Sequence, residues 1–162
     1  MKKTMIRACA VATVMTAGVV VARAQQPAPA HVAVTPAEVK WGPAPPFLKP
    51  GAKFAVVAGN PGGSGLFTIR LRLPAGYRIA PHWHPTDEHV TVLSGVFAAG
   101  MGETFDVKNM KVLPAGGYGM MPAEMRHFAL AKTSCVIQVH GQGPFAINYV
   151  NPADDPQKPG PK

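Results

Sequence analysis

Cysteine is nearly absent from this 162-residue sequence, which contains only Cys9 and Cys135. Cys9 lies in an N-terminal segment that we expect to be removed, so Cys135 has no partner in the mature chain. Small secreted domains without a sizeable core are usually held together by several disulfides, and that architecture is excluded. A hydrophobic core must stabilise the fold instead, which a chain of this length can supply as one domain. We interpret Cys135, which lies in an apolar stretch, as a buried and unreactive thiol.

Long hydrophobic runs are also missing. The longest, residues 8–21, has about 14 residues, whereas a transmembrane helix needs roughly 20. Positive charges precede this run, and the small-x-small pattern Ala22-Arg23-Ala24 follows it. This order is typical of a secretory signal peptide. We predict that residues 1–24 are cleaved off, that the mature protein begins at Gln25, and that it is periplasmic or secreted without a stable membrane anchor.

Clusters of basic residues are absent too, although the chain as a whole is basic. It has 16 Lys and Arg against 8 Asp and Glu, a formal net charge of +8. Four of the basic residues lie in the predicted signal peptide, so the mature chain carries only +4. The others are scattered singly, whereas nucleic-acid-binding proteins concentrate them on one face. We therefore expect no nucleic-acid partner.

Proline is concentrated at the two ends of the mature chain. Residues 25–52 contain seven prolines and few regularly spaced apolar positions, which predicts an extended N-terminal arm. Residues 151–162 contain four more and are expected to form a C-terminal tail. The folded domain is accordingly predicted to span residues 53–150.

Within this domain the apolar residues follow a period of two rather than a helical period. Phe67, Ile69, Leu71 and Leu73 alternate with polar residues, as in a strand with one buried face. Other short apolar stretches are separated by Gly or Pro, namely residues 54–58, 89–93, 120–121, 127–131, 136–139 and 145–150. Many short strands at close spacing predict an all-β sandwich or barrel.

The stretch from His82 to Glu88 carries the clearest chemistry. If it is extended, His82 and His84 project to the same side of the chain, so that two imidazoles converge. Pro85 and Thr86 then turn the chain, and Glu88 can return a carboxylate to the same pocket. Two histidines and one carboxylate are the ligand set of many open, reactive transition-metal sites.

A further ligand from a distant part of the sequence would join two strands through the metal. His127 is well placed for this, because it begins an apolar strand pattern directly after a turn. The alternative is a structural histidine hydrogen-bonded to the backbone. By the same alternation, His89 faces away from Glu88 and is interpreted as an outer-face residue, and His140 as a surface residue at a strand end.

These residues resemble the two motifs of the cupin superfamily. Every fixed position of the first motif is present: Gly76, His82, His84, Glu88 and Gly95, separated by five, one, three and six residues. The second motif matches at Gly116, Pro122 and His127, with Glu124 where the family usually has Gly and Ala131 where it often has Asn.

The resemblance implies a small single-domain cupin, a double-stranded β-helix or jelly roll. It further implies that His82, His84, Glu88 and His127 hold one divalent transition metal (iron, manganese, nickel, zinc or copper). Cupins include dioxygenases, isomerases, lyases and proteins that catalyse nothing, so the fold alone does not determine the reaction.

We expect a metal-dependent, dioxygenase-like oxidoreductase acting on a small oxygenated organic molecule, since four protein ligands leave coordination positions free. The alternatives are a non-catalytic periplasmic cupin that binds metal or a small ligand, and a Lewis-acid lyase or isomerase. No catalytic residue outside the ligand set is predicted. Because short strands leave exposed edges that a Pro-rich arm of a second copy could cover, we also predict a homodimer.

Overall fold

The computed structural model describes residues 31–158, which form short strands joined by turns. The predicted signal peptide and its cleavage site lie outside these residues. In chain order the strands are β1 (Gly42–Pro43), β2 (Lys53–Gly59), β3 (Leu66–Leu73), β4 (Arg78–Trp83), β5 (Glu88–Ser94), β6 (Val96–Met101), β7 (Met110–Pro114), β8 (Tyr118–Met121), β9 (His127–Ala131), β10 (Cys135–Gln142) and β11 (Asn148–Tyr149). Three single-turn 3-10 helices cover Pro36–Glu38, Val107–Asn109 and Pro152–Asp154. None of these helices is long and apolar enough to cross a membrane.

The strands make two antiparallel sheets. The first has the order β1-β2-β3-β10-β5-β8 and the second the order β11-β4-β9-β6-β7. Most neighbours within a sheet are distant in sequence, as when β10 lies between β3 and β5. This arrangement confirms the all-β, jelly-roll prediction.

Strand β3 shows how the sequence builds the core between the sheets. Phe67, Ile69, Leu71 and Leu73 are all buried, with at most 6% of each residue exposed. Burial of each such side chain contributes about 1.5–3 kcal/mol. The strand pairs along its full length with β10, which brings Cys135 opposite Leu73. Burial raises the pKa of the Cys135 thiol to about 11, as expected for an unreactive core residue.

The motif glycines occupy turns that only glycine adopts easily. Gly95, between β5 and β6, has a φ of +74°, and a side chain there would collide with the backbone of Ser134 and Cys135. Gly76 and Gly116 also have positive φ values. These turns fix where the strands of the two motifs begin and end.

The described part of the N-terminal arm packs on the two sheets. Leu48 and Ala52 are each only 5% exposed and belong to the core cluster. β1 extends the first sheet by pairing with β2, with Gly42 opposite Phe54. The arm therefore contributes to the core, although its composition predicts little regular structure.

Candidate metal centre

Three strands bring the four motif side chains together. His82 lies near the end of β4 and is the direct cross-strand partner of His127, the first residue of β9. His84 directly follows the last residue of β4, and Glu88 begins β5. The two sheets thus meet at the site, since β4 and β9 belong to one and β5 to the other.

The three histidines form one buried cluster. Each offers a ring nitrogen within 4.8 Å of those of the other two. They are 2–3% exposed, which is unusual for a polar side chain without an evident structural task. The ring centroids of His82 and His127 are 4.2 Å apart, and those of His84 and His127 are 5.1 Å apart.

Backbone carbonyls fix the tautomer of every ring. Nδ1 of His82 donates to Ala80 O at 2.7 Å, Nδ1 of His84 to Ala146 O at 2.7 Å, and Nδ1 of His127 to Met125 O at 2.9 Å. A carbonyl oxygen can only accept, so each Nδ1 carries a proton, and in the neutral ring Nε2 keeps a free lone pair. This is the arrangement in which proteins orient histidines that bind metals.

Glu88 lies between two of these nitrogens. Its Oε2 atom is 3.5 Å from Nε2 of His84 and 3.4 Å from Nε2 of His127. Burial acts to raise the pKa of this carboxyl, but the two neighbouring imidazoles outweigh it and the pKa of Glu88 is lowered. The buried carboxylate therefore stays ionised, and its charge favours a cation among the imidazoles.

The pKa values of His82 and His84 shift in opposite directions in this environment. Burial, with the charges of His127 and His84, lowers the pKa of His82 to about 3, so this ring is neutral. Burial also acts to lower the pKa of His84, but the Glu88 carboxylate reverses the effect and raises it. A metal ion bound here would take the place of that proton.

Two of the Nε2 atoms make no hydrogen bond within residues 31–158, although the Glu88 carboxylate lies near both. They belong to His84 and His127 and are fully buried. An unpaired buried polar atom costs about 1–3 kcal/mol, and a cation bonded to both nitrogens and to Glu88 removes this cost. The donors, three imidazoles and one carboxylate, suit a divalent transition metal.

The family relationship agrees with this geometry. The family model described as the ChrR cupin-like domain matches residues 29–146. This chain belongs to the ChrR cupin-like domain family. No curated protein matches the sequence.

Solved structures share the fold of this ChrR cupin-like domain. A proposed acetylacetone dioxygenase of Methylibium petroleiphilum PM1 is 20% identical, over 83% of this chain and 90% of the other, with a TM-score of 0.62. The acetylacetone dioxygenase of Acinetobacter johnsonii is 16% identical over 80% and 83% of the chains, with a TM-score of 0.61. The polyketide cyclase RemF of Streptomyces resistomycificus is 16% identical over 78% and 90%, with a TM-score of 0.62. At these identities the likeness concerns the fold.

The cluster opens on a small apolar cavity in this cupin-like domain. Its volume is about 30 Å³. Among residues 31–158, His82, Glu88 and His127 are its polar lining residues, and the others that line it are apolar. A ligand in this cavity would contact a bound metal at one end and apolar side chains along the rest of its surface.

Sequence reasoning missed several neighbours of the site. The Phe145 ring stacks on His84, with centroids 4.5 Å apart, and Phe47 and Leu48 of the arm line the cavity. For the arm, the signal available was the adjacent apolar pair Phe47-Leu48 in a Pro-rich segment with few regularly spaced apolar residues. His89 and His140 form a further unexpected pair, because they are opposite each other on β5 and β10 and their rings stack at 4.8 Å. This pair lies outside the cluster, on the outer face of the first sheet.

Proposed function

We propose that this protein is a metal-dependent, dioxygenase-like oxidoreductase that acts on a small oxygenated organic molecule after export from the cytoplasm. His82, His84, Glu88 and His127 would hold one divalent transition metal. The observation that carries the proposal is the convergence of three imidazole nitrogens, each with its tautomer fixed by a carbonyl, and one ionised carboxylate at an apolar cavity.

Each part of the site has a role in this function. The carbonyls of Ala80, Ala146 and Met125 hold the imidazoles in the orientation that a metal needs. Glu88 lowers the net charge of the bound cation. The apolar lining excludes water and binds the hydrocarbon part of the substrate. A bound iron, manganese, nickel, zinc or copper ion supplies Lewis acidity, and the redox-active metals also supply oxygen activation.

The fold shared with the acetylacetone dioxygenase of Acinetobacter johnsonii and with the proposed one of Methylibium petroleiphilum suggests which substrates to test first. A β-diketone offers two oxygen atoms for the free coordination positions and a small apolar remainder for the cavity. We therefore propose diketones as the first substrate class, followed by phenols and flavonols.

Oxygen uptake tests this proposal. Protein loaded separately with iron, manganese, nickel or copper should consume oxygen with at least one compound of the panel. The His127→Ala variant should not, whereas His89→Ala, which alters a histidine outside the cluster, should behave like the wild type. A flat oxygen trace for every metal and compound would contradict the oxidoreductase function.

Non-catalytic binding of a metal or small ligand is the second candidate. It is favoured by the cavity lining, to which the described part of the chain contributes no acid, base or nucleophile besides the proposed metal ligands. A ligand that co-purifies with the protein and stays chemically unchanged in air would support this candidate. Turnover that persists without oxygen would instead indicate a Lewis-acid lyase or isomerase.

A further inference from the structure

The N-terminal arm crosses the metal cavity at residues 45–49, which we call the strap. Two of its side chains, Phe47 and Leu48, line the cavity directly. Leu48 is 5% exposed and Phe47 is partly buried against the core. These residues precede β2, so a segment outside the motif strands supplies part of the cavity wall.

Three hydrogen bonds hold the strap in place. Within it, the Leu48 N–H donates to Pro45 O at 2.9 Å. The Tyr149 hydroxyl donates to Phe47 O at 2.8 Å, and the Tyr77 hydroxyl donates to Lys49 O at 2.5 Å. Burial raises the pKa of Tyr77 to about 12, so this hydroxyl keeps its proton at neutral pH.

One of these tyrosines also contacts the metal-site strand. Tyr149 on β11 is the cross-strand partner of His82 on β4, and their ring centroids are 6.0 Å apart. The residue that fastens the strap is therefore anchored beside a proposed metal ligand. Displacement of the strap would leave β4 and its histidine in place, because β4 also pairs with β9.

The size of the cavity shows what the strap excludes. A volume of about 30 Å³ admits only about two waters, since one water needs at least about 10–15 Å³ of such space. While Phe47 and Leu48 occupy these positions, the cavity has no room beside the histidines for an organic molecule of several heavy atoms. Either the strap moves or the ligand stays very small.

We propose that the strap is the gate of the metal cavity and that Phe47 sets the size of the molecules that reach the histidines. Tyr77 and Tyr149 are positioning residues that keep the strap closed. The molecules that pass are small oxygen donors with an apolar remainder, because the lining beyond the polar end is apolar. This ligand class rests on the proposed metal-dependent function, but the gate itself does not.

Chemical modification of histidines tests the gate without any metal. Chelator-treated full-length mature protein is exposed to diethyl pyrocarbonate, and the modification rate of each histidine is followed by peptide mass spectrometry. In Phe47→Ala we expect His82 and His127 to react about tenfold faster than in the wild type. In Tyr149→Phe, which loses one hydrogen bond, we expect an acceleration of about two- to tenfold. His89 and His140, which lie outside the cavity, should react at the same rate in all variants and serve as internal references.

Phe105→Ala is the matched control, because Phe105 packs on Phe128 at 5.2 Å and does not line the cavity. It should leave the ratio of His82 to His89 modification unchanged. An unchanged ratio in both Phe47→Ala and Tyr149→Phe would overturn the gate. If truncation of Phe47 unfolds the protein, Tyr149→Phe decides alone, since it retains the ring.

A second measurement separates the gate from the proposed function. Protein loaded with Co²⁺ is titrated with acetylacetone and with the bulkier dibenzoylmethane, and binding is read from the visible spectrum of the metal. Phe47→Ala should bind dibenzoylmethane about tenfold better relative to acetylacetone than the wild type does. Failure of every variant to hold Co²⁺ contradicts the proposed function, while faster modification of His82 in the same variants still supports the gate. An unaltered preference between the two diketones in protein that holds Co²⁺ contradicts Phe47 as the size-determining residue.

Discussion

Each of the three proposed histidine ligands is held by a hydrogen bond to a backbone carbonyl. His82 and His127 donate to carbonyls two residues earlier in the chain, and His84 donates to Ala146, 62 residues later. Rings fixed in this way lose little conformational entropy when a metal binds, which strengthens binding. The three imidazoles are therefore already held in the orientation that a bound metal would need.

Substitution of these ligands gives the first prediction. His82→Ala, His84→Ala, His127→Ala and Glu88→Ala should each lower metal occupancy and the thermal stabilisation that metal provides. That stabilisation is about 2.7 kcal/mol when metal exceeds its Kd a hundredfold. His89→Ala should change neither, because His89 lies on the outer face beside His140 and Tyr118. Elemental analysis and melting temperatures with and without chelator provide the measurement.

The comparison of His89 with His127 is the decisive one within that series. Both are histidines on strands of the motif region, but His127 is 2% exposed inside the cluster while His89 is partly exposed. If His89→Ala lost metal as completely as His127→Ala, the site would have to be rebuilt around the outer face.

Glu124 is the strained residue of the second motif. Among residues 31–158 it is the one non-glycine with positive φ, at 63°, a conformation that costs a residue with a side chain roughly 1–2 kcal/mol. Its N–H donates to His84 O at 2.8 Å, so the turn contacts the ligand loop. The sequence departs from the cupin pattern here, and the structure keeps the turn despite the departure.

We predict that Glu124→Gly raises the free energy of unfolding by about 1 kcal/mol, because glycine adopts this φ without strain. The gain is smaller than the strain itself, since glycine also makes the unfolded chain more flexible. Ala123→Gly is the control and should lower stability, because Ala123 does not have a positive φ. Urea denaturation of both variants measures the difference, and an equal loss in the two would contradict the strain.

Residue spacing could predict which side chains form the site, but not which backbone atoms orient them. The spacing of His82, His84 and Glu88 points to a shared pocket, but the carbonyls that orient the rings belong to Ala80, Ala146 and Met125. Every residue has a carbonyl, so no residue type marks these partners in a sequence. The same holds for the strap, whose prolines indicate an arm but not where it packs.

At the level of strands, the sequence pattern predicts a strand well when one face of that strand is buried and the other is exposed. β3 alternates regularly, and its inward residues are the buried ones. β6 was missed, since Val96–Met101 is apolar almost throughout and includes Gly100, beside which the Phe128 ring packs. The sequence of residues 145–150 predicts a strand, but within this stretch the strand covers Asn148–Tyr149 alone. Phe145 instead turns inward and stacks on His84.

Strand β3 gives a prediction at this scale. Leu73 is 0% exposed in the core and does not line the cavity. Leu73→Ala should lower the free energy of unfolding by about 3 kcal/mol, through lost burial and the space left behind. Thr68→Ala, on the opposite face of the strand, should change it by less than about 0.5 kcal/mol. Equal losses in urea denaturation would show that the strand does not have one inner face.

The chain as a whole is predicted to act outside the cytoplasm. A protein exported through its first 24 residues would have Gln25 at its N-terminus, because Ala22 and Ala24 occupy the small positions before the cut. Intact-mass spectrometry of protein from the periplasm or medium should give the mass of residues 25–162. A chain that retains Met1 in the membrane fraction would mean that the segment is an anchor.

The edge strands of the two sheets have unpaired backbone groups with which a second copy of the chain can pair. The arm already covers β2 within its own chain through β1, so an exchange of arms would replace this pairing by an identical one between copies. At the other end of the first sheet, β8 is the edge strand among the described residues, and it exposes Tyr118 and Met120 by 54% and 46%. Unpaired edges with large apolar side chains favour association.

We therefore predict a homodimer, with β8 as the edge on which the two copies meet. Light scattering of the mature protein at micromolar concentration should give twice the mass of one chain. Met120→Lys should shift the equilibrium towards monomer, because a charge on an edge strand opposes pairing with another copy. Val107→Lys is the matched control, since Val107 is 54% exposed but lies on the 3-10 helix before β7. A monomeric wild type would contradict the dimer, and a Val107→Lys monomer beside a dimeric Met120→Lys would place the contact near that helix instead.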